Sequence, residues 1–394
     1  MNEIANTANL SPTPLATQLA TAAESLGSTF APLAAYRGAL SPRELDASER
    51  ERTALLTGVA VHDLGWLRRV AVRGEDRFRW LNGMVSNTVN GLGANAGAWN
   101  LVLNVQGQIQ GELYVWREGS GGENDELELE IAADQEEKLL AHLDRFIIMD
   151  DVELVPLATE TTGATALGAA TALGLSGPLA GDLLARLGLP TLPEPLTSIR
   201  TKWNGQELRM VRSYGVLAQH YELWLGAAEM PALWKALQEA GATPVGTASL
   251  DALRIAEGIP AYGIDMVERD LPQETSQTRA LHFTKGCYLG QEIVERIHSR
   301  GNVHRHLRQL ELDGPLPLAG TELKFHNAAG AEAIAGEITS AAELFVSKSE
   351  RRFALGMIRA EAELRNQPFN YVVGAATGTA RILTASPSLD ATRI

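Results

Sequence analysis

A single cysteine, Cys287, occurs in 394 residues. One thiol makes no internal disulfide, which fits a reducing compartment. Nor can one chain with one cysteine supply the four thiolates that usually hold a four-iron cluster. Positive charge is also scarce: 34 Lys and Arg stand against 48 Asp and Glu, a formal net charge of −14. That balance argues against general nucleic-acid binding through a basic face. No apolar run reaches the roughly 20 residues of a membrane span. The first residues, Met1-Asn2-Glu3, have neither the basic nor the apolar part of a secretory leader. These absences predict a cytoplasmic protein without a membrane partner.

What is present suits a globular protein of more than one core. Hydrophobic residues make up 45% and charged residues 21%, and a chain of this length divides into two or three domains. The first 13 residues and the tail from Thr384 read as mobile ends. Residues 14–27 read as a short helix, 30–40 as irregular, and 44–56 as a charged helix ending before Gly58. Strands are expected over 59–64 and around Val70 and Val72, then a helix over 75–82. Strands over 101–105 and 108–116 meet at Gln106-Gly107, and a further strand covers 127–131. Asp134 and Glu137 have the spacing of a capping box for a helix reaching Phe146.

The same plan recurs downstream. A strand near 172–176 leads to a helix bearing Leu179, Leu183 and Leu187. A hairpin then turns at Asn204-Gly205, a strand holds Tyr221, Leu223 and Leu225, and a helix enters at Pro231. After His304, short strands punctuated by turn residues suggest a small antiparallel barrel. The fold class is therefore α+β: two related α+β modules plus a C-terminal β-barrel. The division expected is 14–150 for the first module, 151–245 for the second and 304–394 for the barrel. Between them, 246–303 is read as a helix followed by irregular structure lining a central site.

That irregular segment carries Lys285-Gly286-Cys287-Tyr288-Leu289-Gly290-Gln291-Glu292. Glycines at 286 and 290 permit close approach of a ligand or a positive φ. Lys285 is placed to favour a thiolate, and Gln291 adds a polar group. The eight residues resemble the signature K-G-C-F/Y-x-G-Q-E of the YgfZ family. Those are folate-binding proteins related to the T-protein (aminomethyltransferase) of the glycine cleavage system, and they are associated with iron–sulfur protein assembly and repair. The resemblance implies a T-protein-like fold, tetrahydrofolate or a derivative as cofactor, and iron–sulfur client or assembly proteins as partners.

Other stretches are similar to the wider T-protein group. Arg254 to Gly263 resembles R-I/L-E-A-G-x-x-x-Y-G, which brings in Arg254 and Tyr262. Arg254 either grips a glutamyl tail or makes a structural ion pair. Gly107 to Leu113 matches G-x-I/V-x-D-D-L, with Gly111 and Glu112 at the two aspartates. Glu112 is thus a candidate catalytic carboxylate or a surface glutamate. Arg212 to Glu222 matches the stretch whose first Glu grips the pterin in T-proteins. Here that place is Ala218, followed by Gln219, a neutral acceptor. Asn87, in Met84 to Val89, is a ligand contact or a turn cap. A run of Arg296, His298, Arg300, His304, Arg305, His306 and Arg308 forms a basic strip able to draw in an anion.

The implied function is a folate-binding protein supporting iron–sulfur cluster assembly or repair, with Cys287 and Lys285 beside Glu112 as its reactive groups. The binding set is Asn87, Glu112, Gln219, Arg254, Tyr262, Gly286 and Gln291, with no metal ligands. Two alternatives stand. One is a tetrahydrofolate-dependent aminomethyltransferase or related one-carbon transferase. The other is a non-catalytic scaffold with a vestigial pocket.

Overall fold

The computed structural model describes residues 10–25, 32–122, 124–157, 170–301, 303–346 and 349–384. The first nine residues of the polar N-terminus and the tail beyond 384 lie outside them. The chain divides into two compact units. The first comprises Met1–Asn82, Thr88–Trp99 and Leu113–Leu250, and the second Gly83–Asn87, Asn100–Glu112 and Asp251–Ile394.

In chain order, α1 (Pro14–Ser25) precedes a hairpin of β1 (Leu33–Tyr36) and β2 (Ala39–Pro42), then α2 (Ser48–Thr57) and β3 (Ala60–Asp63). The hairpin corrects the irregular reading of 30–40: Arg37 and Gly38 both take positive φ, the requirement of a tight two-residue turn. Next come β4 (Leu67–Arg73), α3 (Arg77–Met84), β5 (Ala96–Leu103), β6 (Ile109–Glu118), β7 (Glu126–Ala132), α4 (Ala133–Asp144) and β8 (Glu153–Pro156). Then follow β9 (Ala170–Ser176), α5 (Ala180–Arg186), β10 (Thr197–Trp203), β11 (Gln206–Ser213), β12 (His220–Gly226), α6 (Met230–Glu239), β13 (Thr243–Val245) and α7 (Thr247–Ala256). The capping box at Asp134 does not form. Ala132 occupies the cap position without a side-chain bond, because β7 runs straight into α4.

The repeat read from the sequence is realised in one 11-stranded sheet of order β13-β3-β9-β12-β11-β10-β5-β6-β7-β4-β8. Outward from the antiparallel contact of Thr197 with Ala96, one half runs β5-β6-β7-β4-β8 and the other β10-β11-β12-β9-β3-β13. Each half is a strand, helix, hairpin, strand, helix and strand. The second has borrowed β3 between β9 and β13. Asn204 and Gly205 have φ of 50 and 81, the geometry that lets β10 and β11 pair from Trp203–Gln206 outward.

Helices α5 and α6 exist because Ala180, Leu183 and Leu184, and Met230, Leu233 and Leu237, fall on one side of each. They bury this side against Val61, Leu173, Leu175, Met210 and Leu223 of the sheet. Each such leucine contributes about 1.5–3 kcal/mol. The sheet also holds a buried charged layer. Arg69 pairs with Glu128 and Arg209 with Glu118, while Trp116 and Trp224 donate their indole N–H to Glu130 and Glu222 at 3.0 and 2.8 Å. The guanidiniums of Arg69 and Arg209 lie over the rings of Trp224 and Trp116, at 5.2 and 5.4 Å. Burial pushes Arg69 down to about 9 and raises Glu130 well above the usual carboxylate range, where the neighbouring Glu222 raises it further.

In the second unit, α8 (Gln291–Arg300) leads to a closed six-stranded barrel. Its members are β14 (Arg305–Asp313), β15 (Glu322–His326), β16 (Glu332–Val346), β17 (Ser349–Arg359), β18 (Phe369–Val373) and β19 (Ala376–Ile382), with α9 (Ala360–Glu363) after β17. Strand β14 pairs with both β17 and β19, which closes the ring. Leu310, Leu323, Phe325, Ile338, Ile358 and Phe369 fill it. Helix α8 corrects the irregular reading of 260–304: Gly290 starts it from a left-handed conformation at φ 80, and Ile293, Val294 and Ile297 give it an apolar side. Among the described residues no helix is long and apolar enough to cross a membrane.

Candidate functional site

Eight of the nine residues singled out from the sequence fall in the second unit; Gln219 belongs to the first. The second unit is assembled from three distant pieces of chain, and their contacts build the site.

The Cys287 thiol is free and exposed. Its segment is held against residues 83–87 at several points. The backbone N–H of His282 donates to the Ser86 carbonyl at 3.1 Å, and the Ser86 hydroxyl to the Ala280 carbonyl at 2.5 Å. The Asn87 amide donates to the Arg279 carbonyl at 2.9 Å, and Leu289 N–H to the Gly83 carbonyl at 3.0 Å. Lys285 Nζ donates to the carbonyls of Val85 and Asn87 at 2.7 and 2.6 Å and lies 5.0 Å from the centre of the Tyr288 ring. Burial pushes the Lys285 ammonium down to about 7, against the two carbonyl bonds, which favour its charged form.

The two glycines of the motif play different parts. A Cβ at Gly290 would fall 2.6 Å from the Asn104 carbonyl, on top of its positive φ, so this position is demanded by the packing of the β5–β6 turn. A Cβ at Gly286 would meet nothing within 4 Å, and the residue is exposed. Gln291 begins α8 and turns its amide oxygen back to Tyr288 N–H at 3.3 Å.

Glu112 sits half-buried on β6, where one carboxylate oxygen accepts the backbone N–H of Tyr262 at 2.9 Å. Arg254, on α7, donates to Asp251 at 2.5 Å and to Asp265 at 2.6 Å. Two carboxylates already balance its charge, which favours the structural ion pair over a grip on a glutamyl tail. Asp265, not singled out in the sequence, is the hub. It also accepts Ala261 N–H at 3.0 Å and the hydroxyls of Thr339 and Ser340, both at 2.6 Å. Its one sequence signal is an acid beside a tight turn, Tyr262-Gly263-Ile264-Asp265.

The C-terminal part of the basic strip is paired with acids. Arg305 pairs with Asp270 and Glu274, and His306 and Arg308 with Glu363. His298 stacks on Phe283, their centroids 3.9 Å apart. His304 precedes β14, so it does not share a strand face with His306.

In the first unit, the Gln219 amide oxygen accepts Gly181 N–H, in the first turn of α5, at 3.2 Å. The adjoining His220 Nδ1 meets Ser176 Oγ at 2.8 Å, and that oxygen meets His62 Nε2 at 2.9 Å. Burial, reinforced by His220, pushes the His62 imidazole down to about 3.

Comparison with known proteins accounts for this architecture. The family described as GCVT N-terminal domain matches residues 21–285, ending two residues before Cys287. An aminomethyltransferase of Rubrobacter xylanophilus is 30% identical over 281 residues, covering 71% of this chain and 72% of its own. One from Thermus thermophilus is 26% identical over 287 residues, covering 72% and 77%. The crystal structure of the glycine cleavage system aminomethyltransferase T from Bartonella henselae superposes with a TM-score of 0.78 at 18% identity, over 98% of this chain and 99% of that one. By family match and by relatives, the chain belongs to the family of the GCVT N-terminal domain.

Proposed function

We propose that the protein binds a tetrahydrofolate-type ligand and supports iron–sulfur cluster assembly or repair through Cys287. One observation carries the reading. The thiol stands exposed on a short arch pinned at both ends to residues 83–87, next to a glycine whose missing side chain the fold itself does not need. A packing cysteine is buried; an exposed thiol on an anchored arch suits contact with another molecule. Glu112 and Asn87 are the polar groups that would meet the folate, one offering a carboxylate for N–H donors and the other a side-chain amide. Tetrahydrofolate supplies one-carbon carrier chemistry when bound. Cys287 acts as one ligand or as a thiol exchanger, since a cluster needs further thiolates from a client.

The test combines titration and complementation. Calorimetry of the native chain and of Cys287→Ala with tetrahydrofolate should show binding to both. In cells lacking the gene, only the native chain should restore the activity of iron–sulfur enzymes. Full restoration by Cys287→Ala removes the thiol from the function, and no folate binding by the native chain removes the ligand.

Aminomethyl transfer is a second reading, favoured by the relatives' names and by a carboxylate at position 112 of β6. Formation of methylene-tetrahydrofolate from a lipoyl-bound aminomethyl donor, lost in Glu112→Gln, would put it first.

A further inference from the structure

Lys285 stands two residues before the thiol, yet its Nζ is directed at the carbonyls of Val85 and Asn87, 200 and 198 residues away in the chain. The Gly286–Tyr288 arch has one pin at Lys285 and the other at Leu289 N–H, which donates to the Gly83 carbonyl. Both pins fall on one five-residue piece, Gly83–Asn87, and Asn87 is the residue of that piece with a side-chain amide. Displacing this piece therefore moves both feet of the arch. Gly286, open on its outer side, allows the arch to follow.

We propose that Lys285 is a positioning residue that couples the Asn87 segment to the Cys287 arch, so that ligand occupancy at Asn87 sets the accessibility of the thiol. The inference rests on the folate reading for the identity of that ligand. The residue type suits the task. A lysine reaches two carbonyls at once, and it keeps two N–H donors even when neutral. With burial holding the ammonium near 7, the clamp persists on both sides of neutral pH. The bonds the structure gives the Nζ go to these two carbonyls.

The experiment compares the native chain with Lys285→Met, which keeps the stem and removes the donors. The rate of Cys287 alkylation by iodoacetamide is measured with and without tetrahydrofolate, and binding is followed in parallel by calorimetry. Tetrahydrofolate should change the native rate about fivefold or more, the range of ordinary coupling between sites. In Lys285→Met the change should shrink below about twofold although the ligand still binds. An equal folate effect in both proteins, or none in a native chain that does bind, overturns the proposal. A second arm needs no ligand: amide hydrogen exchange at 83–89 and 286–289 should rise in Lys285→Met, with the barrel strands unchanged. Absence of that rise also overturns it. A native chain that binds no folate but shows the rise would keep the clamp and discard the folate reading. Should Lys285→Met not fold, Lys285→Leu, which likewise has no donor, serves for the same readouts.

Discussion

The Glu112 carboxylate accepts the backbone N–H of Tyr262 at 2.9 Å, across 150 residues of chain. The carboxylate thus has a structural task whatever its chemistry, and substitutions separate the two. Glu112→Ala leaves that N–H without its acceptor and should cost about 1–3 kcal/mol in urea unfolding. Glu112→Gln keeps an oxygen acceptor and should stay within about 0.5 kcal/mol of native. A fall in folate affinity or transfer in Glu112→Gln alone then reports the charge.

Asp265 holds four groups from α7, the loop after it and β16. Removing it takes away one of the two carboxylates that hold the mostly buried Arg254 guanidinium. Asp265→Ala should lose about 3–5 kcal/mol, the usual result of breaking one side of a buried pair. A change below about 1 kcal/mol would mean that Asp251 alone satisfies Arg254.

The two motif glycines should respond oppositely to alanine. Gly290→Ala meets both a positive φ and the Asn104 carbonyl, and should lose more than about 1 kcal/mol in thermal or urea unfolding. Gly286→Ala enters open space and should unfold as the native chain does. If a partner or ligand approaches there, Gly286→Ala will fail complementation while remaining fully folded.

Acid should unfold the first unit through His62. Its imidazole is held to about 3 in the folded chain against an ordinary 6.5. Between those values the unfolded chain binds more protons, so stability is intact above pH 6.5 and drains as pH falls toward 3. The loss should be on the order of a few kcal/mol. His62→Gln, measured by urea midpoints from pH 7 to pH 4, should show a shallower decline.

The order of elements was legible because their signals are local. Asn204-Gly205 between apolar alternations reads as a hairpin in isolation, and Leu179, Leu183 and Leu187 mark a helix by spacing alone. The octapeptide around Cys287 was equally visible, since a lone thiol between glycines stands out of any composition. The pairing of strands was not. Nothing near β3 announces that it leaves its own half of the sheet to sit between β9 and β13. The 291–300 helix was missed because its apolar side, Ile293, Val294 and Ile297, is narrow among charged neighbours.

The residue types of the site were therefore determined by sequence, and their partners by tertiary structure. Arg254 announced a need for a carboxylate, but only folding could choose Asp265, 11 residues away, and tie it to Thr339 and Ser340 of the barrel. Lys285 announced a charge beside a thiol, and the fold turned that charge toward the carbonyls of Val85 and Asn87. Composition and spacing act through short-range torsions and periodic burial, which any stretch of chain carries with it. Which far-off carbonyl a lysine meets depends on closing loops of nearly two hundred residues, and that is settled only when the whole core packs.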